Sequence, residues 1–417
     1  MVAAEYIGVQ QELSFNNLAS RLGLNEQELV EAMKEAQIAV LQKRIAVTKD
    51  SFFGDLDQEY FDPDKIRKID SIIGIIDFIR HHNHSYQKVI ISTVAELFPA
   101  FEKAGLFDKD ALTKIGDGKN DISRFLKSIP IVTLFESDQG PYVTRLDSME
   151  LIYVVRNKHM DLILERLLIP LIINSTVFQS EEKVNTFYNN YSIDKILGLY
   201  FTIAKIDSRN IIWTLQDEVL ENIDPLFEKG LIVHYYGMIL FWSMQYLINF
   251  HEYAHVMCNH FFAEKDPILM EIEADNFAIN ALYFNSLKRL GIEEKDIDEE
   301  AVNDKLIFMV MSPLWLFLLF SVSNIESGMK ISDTHPHPLL RLGNSRRTLD
   351  VLTKNAGPLN RKLTKIFSFI EAIVNEMLKE INETQLQKIY NEDHYKKTSL
   401  FIYNCETKTV DLYVSEN

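Results

Sequence analysis

Two histidines and a glutamate in the segment HEYAH (251–255) have the spacing of a metal centre. On an α-helix, residues four positions apart lie on one face, so His251 and His255 can bind the same ion. Zinc suits such a pair, because it accepts neutral nitrogen ligands in tetrahedral geometry and leaves one position for water. Glu252 would lie beside that water and take its proton as a general base. The segment therefore predicts metal-assisted hydrolysis.

A second acidic segment, EIEAD (271–275), stands near the start of a helix predicted over residues 267–290. A catalytic zinc needs a third protein ligand, and a glutamate from a facing helix can supply it. Glu271 and Asp275 are four residues apart and share a face, whereas Glu273 lies roughly half a turn away. With Glu271 as the ligand, Asp275 can accept the free N–H of a ligand histidine. We therefore predict Glu271 as the third ligand and Asp275 as its supporting partner.

Other polar residues near these segments receive structural interpretations. His260 lies about one helical turn past His255, and we expect it to support the site or end the helix. Cys258 is expected to be a small buried apolar residue. The histidine cluster RHHNH (80–84) is interpreted as a solvated helix end, because no carboxylate or cysteine pattern accompanies it.

The elements that must position these residues are predicted to be mainly helical. Glycine (15) and proline (11) are sparse, which favours helices joined by short connections. Two apolar runs without formal charge, at 231–250 and 306–322, approach the length of a membrane-spanning helix. A helix that carries a metal must be surrounded by other helices, and a fully surrounded helix is apolar on all sides. We therefore interpret both runs as buried core helices in preference to membrane spans.

The N-terminal part predicts a winged-helix-like or plain helical module. Two short helices are predicted within residues 13–36, with Asn25 as the N-cap of the second, and residues 38–47 could form a wing. The second helix is rich in glutamate, which would repel DNA phosphates, so we expect this module to contact protein.

The whole chain divides into four predicted regions. The regions are an N-terminal module (1–60), a mixed and mostly helical region (61–190), a catalytic domain (191–390) and a hairpin-like tail (391–417). Strand-like sequence with a turn at 138–141 interrupts the mixed region. In the tail, alternation over 399–414 predicts a hairpin with its turn near 406–408.

Charge and cysteine content exclude several kinds of function. The net charge of −17 at pH 7 argues against nucleic acid or an anionic membrane surface as a partner. The two cysteines exclude a disulfide framework and favour a reducing compartment. The first residues contain no basic and apolar pattern of a secretory signal, so we expect a cytoplasmic protein.

The succession of HEYAH and EIEAD resembles the gluzincin metallopeptidases, whose signature is HExxH followed by ExxAD. The resemblance implies that Zn²⁺ is held by His251, His255 and Glu271 and that Glu252 is the general base. It also implies the fold class, which is mainly α, with a helical zincin-like metallopeptidase core, a helical N-terminal region and short β segments.

A third segment, THPHP (334–338) followed by Arg341, is similar to the THPxP…R segment of HtpX-type and CAAX-processing peptidases. The resemblance implies that His335 donates a hydrogen bond to the oxyanion of the tetrahedral intermediate. HtpX-type enzymes usually have a longer insert than residues 256–270, and this short gap, with the phrase EADNFAINAL, looks more like the ImmA/IrrE-like and Lit-like peptidases. Those enzymes cut one intracellular protein, often in response to phage or mobile DNA. The resemblance covers roughly residues 235–345 and implies an endopeptidase with a protein substrate in phage defence or a stress response.

Two alternatives stay open at this point. One is a membrane-associated HtpX-like quality-control peptidase with residues 306–322 in the bilayer. The other is a non-catalytic regulatory binding protein with a structural zinc. A structural site normally closes its fourth position with a protein ligand, for which His260, His335 and Cys258 are candidates.

Overall fold

The structure, a computed structural model, describes part of the chain in two units, each treated by itself. The first unit is Met1–Pro99 with Phe107–Met160, and the second is Ala100–Leu106 with Asp161–Asn417. The described residues are mostly helical with short strands, which confirms the predicted fold class. They are 25, 27–28, 30–31, 34, 67–70, 84–107, 122–127, 129, 131–134, 142–145, 152–157, 230–258, 260, 264–326, 334–378, 399–405 and 407–414.

The first unit contains helices and a small sheet. Its elements are α1 (His84–Lys103, which passes into the second unit at Ala100), α2 (Ile122–Lys127), β1 (Ile131–Leu134), β2 (Tyr142–Arg145) and β3 (Ile152–Asn157). β3 lies between the other strands, parallel to β1 and antiparallel to β2. The predicted strand-like sequence thus forms strands at 131–134, 142–145 and 152–157, whereas the predicted wing and the turn at 138–141 lie outside the described residues.

The predicted helix start at Asn25 is confirmed by its hydrogen bonds. Asn25 Oδ1 accepts from the Glu28 N–H at 3.0 Å, and Glu28 Oε2 accepts from the Asn25 N–H at 2.8 Å. This reciprocal pair is a capping box, which satisfies two backbone donors that the first helical turn leaves free.

The second unit is a bundle of helices with a terminal hairpin. The helices are α3 (Gly230–Met257), α4 (Pro267–Leu290), α5 (Asp304–Val310), α6 (Ser312–Glu326), α7 (Pro338–Leu352) and α8 (Gly357–Leu378). α3 packs against α4, α5 and α6, and α4 also packs against α7.

The helix α3 carries the HEYAH segment through the centre of this bundle. Its residues from Ile239 to Ala254 are buried around the whole circumference, including polar ones such as Gln245 and Asn249. Asn249 donates to the backbone oxygen of Gln245 at 2.6 Å, which gives the amide a partner inside the core. The apolar run at 231–250 therefore forms a helix that is buried over its described side chains, as its composition predicted.

The helix α4 begins and ends as its sequence predicts. Asp266 caps the N-terminus by accepting from the Ile268 N–H at 2.9 Å, and Pro267 occupies the first turn, where no N–H is needed. Gly291 follows the helix with φ +66°, a left-handed conformation that glycine adopts without steric cost. The predicted range of 267–290 agrees with the observed helix, so the acidic segment 271–275 lies in its second turn and the start of its third.

The second apolar run is broken into the helices α5 and α6. The break lies at Met311, just before Ser312 and Pro313. Among the described residues, no single helix has the length and apolar character needed to cross a membrane. α5 and Ser312–Ser321 meet that criterion only when they are taken together across a bend of 45°.

The C-terminal hairpin packs on the helices of the second unit. β4 (Ser399–Asn404) and β5 (Thr409–Val414) pair antiparallel, as the alternation in this segment predicted. The side chain of Asn280 on α4 accepts a hydrogen bond from the Tyr403 N–H at 2.7 Å, and the Tyr403 ring stacks on Phe101. A buried backbone donor at the hairpin is thereby tied to the helix that carries Glu271.

Candidate metal centre

His251 and His255 lie one helical turn apart on α3, and their rings converge. Their Nε2 atoms are 3.1 Å apart, and both side chains are about nine-tenths buried, at 10% and 12% exposed. The helix must be intact here for the two imidazoles to meet, because only the i, i+4 spacing places them on one face.

Glu271 on α4 completes a triangle with the two histidines. Its carboxylate oxygens lie 3.3 Å from His251 Nε2 and 3.4 Å from His255 Nε2. Zinc bonds of about 2.0–2.1 Å at tetrahedral angles place ligand atoms about 3.3–3.4 Å apart. The three side chains thus form a group with metal-binding spacing, and two imidazoles with one carboxylate is a donor set that suits a catalytic zinc.

Charge is concentrated in this buried group. Burial opposes the charged form of His251, but Asp275 and Glu271 outweigh it and raise the pKa of His251 to about 10. Burial and the neighbouring His251 hold the pKa of His255 well below its usual value. For Glu271, burial is again outweighed, here by His251 and Arg341, so its pKa lies far below that of an ordinary glutamate. The group therefore contains an ionised Glu271 carboxylate and a neutral His255 imidazole.

Asp275 supports His251 from the side opposite the triangle. Its Oδ1 lies 2.8 Å from His251 Nδ1, within hydrogen-bonding distance of the ring nitrogen that faces away from Glu271. Arg341 on α7 holds the same carboxylate in a bidentate pair, with Nε at 2.7 Å and Nη2 at 2.6 Å. The guanidinium also lies 4.6 Å from the centre of the Phe317 ring. Asp275 is thus fixed from two sides.

Glu252 follows His251 on α3 and is buried, at 5% exposed. Burial opposes the charged form of the Arg341 guanidinium, but the carboxylates of Asp275, Glu271 and Glu252 outweigh it and raise its pKa. Glu252 therefore lies near enough to Arg341 to interact with its charge, as Glu271 and Asp275 do.

His335 lies at the rim of the group, just before α7. Its side chain is 59% exposed, and its Nε2 is 3.6 Å from Glu271 Oε1. Its Nδ1 is 2.9 Å from the hydroxyl oxygen of Thr334, which orients the ring. His335 is 64 residues from Glu271 in sequence, and folding brings the two side chains together.

A second group of polar side chains lies next to the first. His260 Nδ1 is 2.8 Å from His255 Nδ1, and His260 Nε2 is 3.0 Å from Glu273 Oε2. Lys265 Nζ lies 3.0 Å from the same Glu273 oxygen. Cys258 is buried, as predicted, and burial together with Glu273 raises the pKa of its thiol well above the usual value.

Sequence reasoning left two parts of this arrangement without a role. Arg341 stood in a motif, but its pairing with Asp275 across 66 residues has no local signal. The sequence favours Glu271 over Glu273 as the third ligand and indicates no other role for Glu273. The contact of Glu273 with His260 depends on the turn that follows α3. Within the part of the chain that the structure describes, metal-binding spacing occurs in the group of His251, His255 and Glu271 and in that of Cys258, His260 and Glu273.

The comparison with known families bears on the segment that contains this site. Residues 232–359 match the family model named Peptidase U49. The match supports a peptidase. It spans most of α3 and all of α4 to α7, so it includes every residue described above around the candidate metal centre. No curated protein and no solved structure matches the chain.

Proposed function

We propose that the protein is a zinc-dependent metalloendopeptidase. The observation that carries the proposal is the triangle of His251, His255 and Glu271, with edges of 3.1–3.4 Å, inside the segment that matches a peptidase family. A zinc ion held by these residues would supply Lewis-acid polarisation of a peptide carbonyl and of a water molecule.

Glu252 is the proton carrier in this proposal. It takes a proton from water as the water oxygen bonds to the peptide carbonyl carbon. It then passes that proton to the amide nitrogen as the carbon–nitrogen bond breaks, which releases an amine and a carboxylic acid, and the acid then loses its proton to the amine or to solvent. Glu252 follows His251 on α3 and is buried, which supports this role, because burial limits competing solvent.

His335 and the Asp275–Arg341 pair have supporting roles. The exposed ring of His335 stands at the rim beside Glu271, where it can donate to negative charge that develops on the carbonyl oxygen. Asp275 orients His251, and Arg341 fixes Asp275, so both act on the ligand geometry.

The substrate in this proposal is a protein inside the cell, cut at few internal positions. The short segment 256–270 between HEYAH and EIEAD supports this, because it is similar to the spacing in ImmA/IrrE-like and Lit-like peptidases. A role in phage defence or a stress response, in the cytoplasm, follows from the same similarity.

A single substitution tests the proposal. Glu252→Gln removes the proton acceptor while keeping the size of the side chain, so cleavage should fall by about 10²–10⁴-fold and bound zinc should stay at the wild-type level. Zinc per chain is measured on the purified proteins, and new protein N-termini are compared by proteomics in cells that express each form.

The matched control is Glu264→Gln, because Glu264 is an exposed glutamate outside the candidate centre. This variant should retain both zinc and cleavage. If the wild type and Glu252→Gln both hold zinc and both produce the same termini, the catalytic role is contradicted, and a non-catalytic zinc protein becomes the better explanation.

A further inference from the structure

We propose that His260 is a positioning residue for the metal centre, linking the ligand His255 to the carboxylate of Glu273. The inference rests on the proposed metal site, because it concerns how one of its ligands is held. It assigns a role to Glu273 and Lys265 as well, which are not among the three candidate ligands.

The contacts form one continuous chain of polar atoms. His255 Nδ1 and His260 Nδ1 are 2.8 Å apart, and His260 Nε2 and Glu273 Oε2 are 3.0 Å apart. Lys265 closes the chain with 3.0 Å and 3.4 Å contacts to the two Glu273 oxygens. The His260 side chain is 3% exposed and that of Glu273 is 17% exposed, so water competes little for these contacts.

The proton positions follow from the geometry at His255. Its Nε2 faces Glu271 and His251, so it is the nitrogen that a metal would bind, and the ring proton is then on Nδ1. That N–H donates to His260 Nδ1, which must be an unprotonated acceptor. His260 therefore carries its proton on Nε2 and donates it to Glu273. With these tautomers, each ring nitrogen of His260, Nδ1 of His255 and the Glu273 carboxylate have a hydrogen-bond partner of the right kind.

The turn after α3 brings His260 back towards His255. The Cys258 N–H donates to the Ala254 oxygen at 2.8 Å, and the His260 N–H donates to the His255 oxygen at 3.0 Å. The second bond spans five residues instead of four, as in helix-ending turns that fold the chain back over its last turn. The two rings come to 4.9 Å between centroids as a result.

The series of contacts from His255 through His260 and Glu273 to Lys265 resembles the way in which the other proposed ligand, His251, is held. His251 faces Asp275, and Asp275 is held by the cation Arg341. Glu273 is two residues from both Glu271 and Asp275, so it lies on another face of α4 and cannot share their environment. His260 lies between His255 and Glu273. Each proposed ligand histidine is thus connected to a carboxylate that pairs with a cation: His251 directly to Asp275, and His255 through His260 to Glu273.

The same side chains could instead form a second metal site. Cys258, His260 and Glu273 offer ligand atoms within 4.8 Å of one another. Against this, both ring nitrogens of His260 already have partners, and the Lys265 ammonium lies on the Glu273 carboxylate. Burial also favours the neutral thiol of Cys258, whereas a metal ligand must be a thiolate. The positioning role fits these contacts better, and the two ideas predict different metal contents.

The test measures zinc content and zinc affinity of the full chain by competition with a chromophoric chelator, and records the visible spectrum of the cobalt-substituted protein. His260→Leu should weaken zinc binding by about 10–100-fold and change the cobalt spectrum, because ligand orientation is lost. His260→Gln should recover much of both, since an amide can accept from His255 and donate to Glu273. Glu273→Gln should weaken zinc binding less than His260→Leu does.

Cys258→Ala and Glu264→Gln are the controls, and both should bind one zinc per chain with wild-type affinity. Unchanged affinity and an unchanged cobalt spectrum in His260→Leu would overturn the positioning role while leaving the proposed function intact. So would two zinc ions in the wild type with one lost in Cys258→Ala. A wild type without zinc would overturn the metal site itself, together with the role given to His260.

Discussion

At the scale of single residues, the Asp275–Arg341 pair makes the sharpest prediction about stability. Both side chains are largely buried, at 4% and 13% exposed, and they form a bidentate contact. Removing the cation leaves a buried carboxylate with an uncompensated charge, so Arg341→Ala should lower the free energy of unfolding by about 3–5 kcal/mol. Urea denaturation with a chelator present measures this loss without a contribution from bound metal.

The control for this prediction is Arg346→Ala on the same helix. Arg346 pairs with Glu371 and Asp350 but is 39% exposed, so its loss should cost less than about 1 kcal/mol. Arg341→Lys should fall between the two, since lysine keeps the charge and cannot make the planar bidentate contact. Equal losses of unfolding free energy in Arg341→Ala and Arg346→Ala would show that the buried pair stabilises the fold no more than an exposed ion pair does.

The residues of the centre differ in how far they could be predicted. Spacing alone predicts that His251 and His255 meet and that Glu271 shares a face with Asp275, because these pairs are i, i+4 on helices. The sequence cannot show that Arg341 reaches Asp275 or that His260 reaches Glu273, because those contacts depend on how separate elements pack. The exposure of His335 is likewise a property of the folded surface.

At the scale of elements, we expect the stability of the start of α7 to depend on pH. His337 is its N-cap, and His337 Nδ1 accepts from the Leu339 N–H at 3.2 Å, which requires the unprotonated nitrogen. Burial lowers the pKa of His337 from 6.5 to about 4. The unfolded chain therefore binds a proton between these values while the folded one does not, so stability falls as the pH drops from 6.5 to 4.

The expected size of this effect is at most about 3 kcal/mol, and residual solvent contact of the ring reduces it. His337→Asn keeps an acceptor at the cap and removes the titration. In chelator, the two proteins should have similar unfolding free energies at pH 7, and the variant should lose less on acidification to pH 4.5. Parallel pH profiles for the two proteins would exclude His337 as a source of acid sensitivity.

Elements with strong local signals were predictable, and those set by pairing were not. The range of α4 follows from Asp266-Pro267 at one end and Gly291 at the other, which are signals carried by the residues themselves. The break between α5 and α6 accompanies Pro313, yet its 45° bend depends on the packing of both helices. Similarly, strand-like sequence predicts β1 to β3, but the parallel pairing of β1 with β3 depends on how the folded chain brings these strands together.

At the scale of the whole molecule, a metal ion would join two helices of the second unit. His251 and His255 belong to α3 and Glu271 belongs to α4, so an ion bound by all three stabilises only the state in which these helices are packed. Free zinc at about 100 times its dissociation constant should add about 2.7 kcal/mol to the stability of that state. Each further tenfold increase in free zinc should add about 1.4 kcal/mol.

Hydrogen exchange followed by mass spectrometry can locate this effect along the chain. Zinc should slow exchange in peptides from α3 and α4, because opening of the two helices then requires loss of the ion. Glu271→Gln provides the control: it keeps the volume of the side chain and removes the anionic ligand, so zinc should change its exchange much less. If zinc protects the wild type and Glu271→Gln equally, the ion binds elsewhere. If zinc protects neither protein in α3 and α4, the triangle of donors does not bind zinc, and the packing of these helices depends on their buried apolar surface alone.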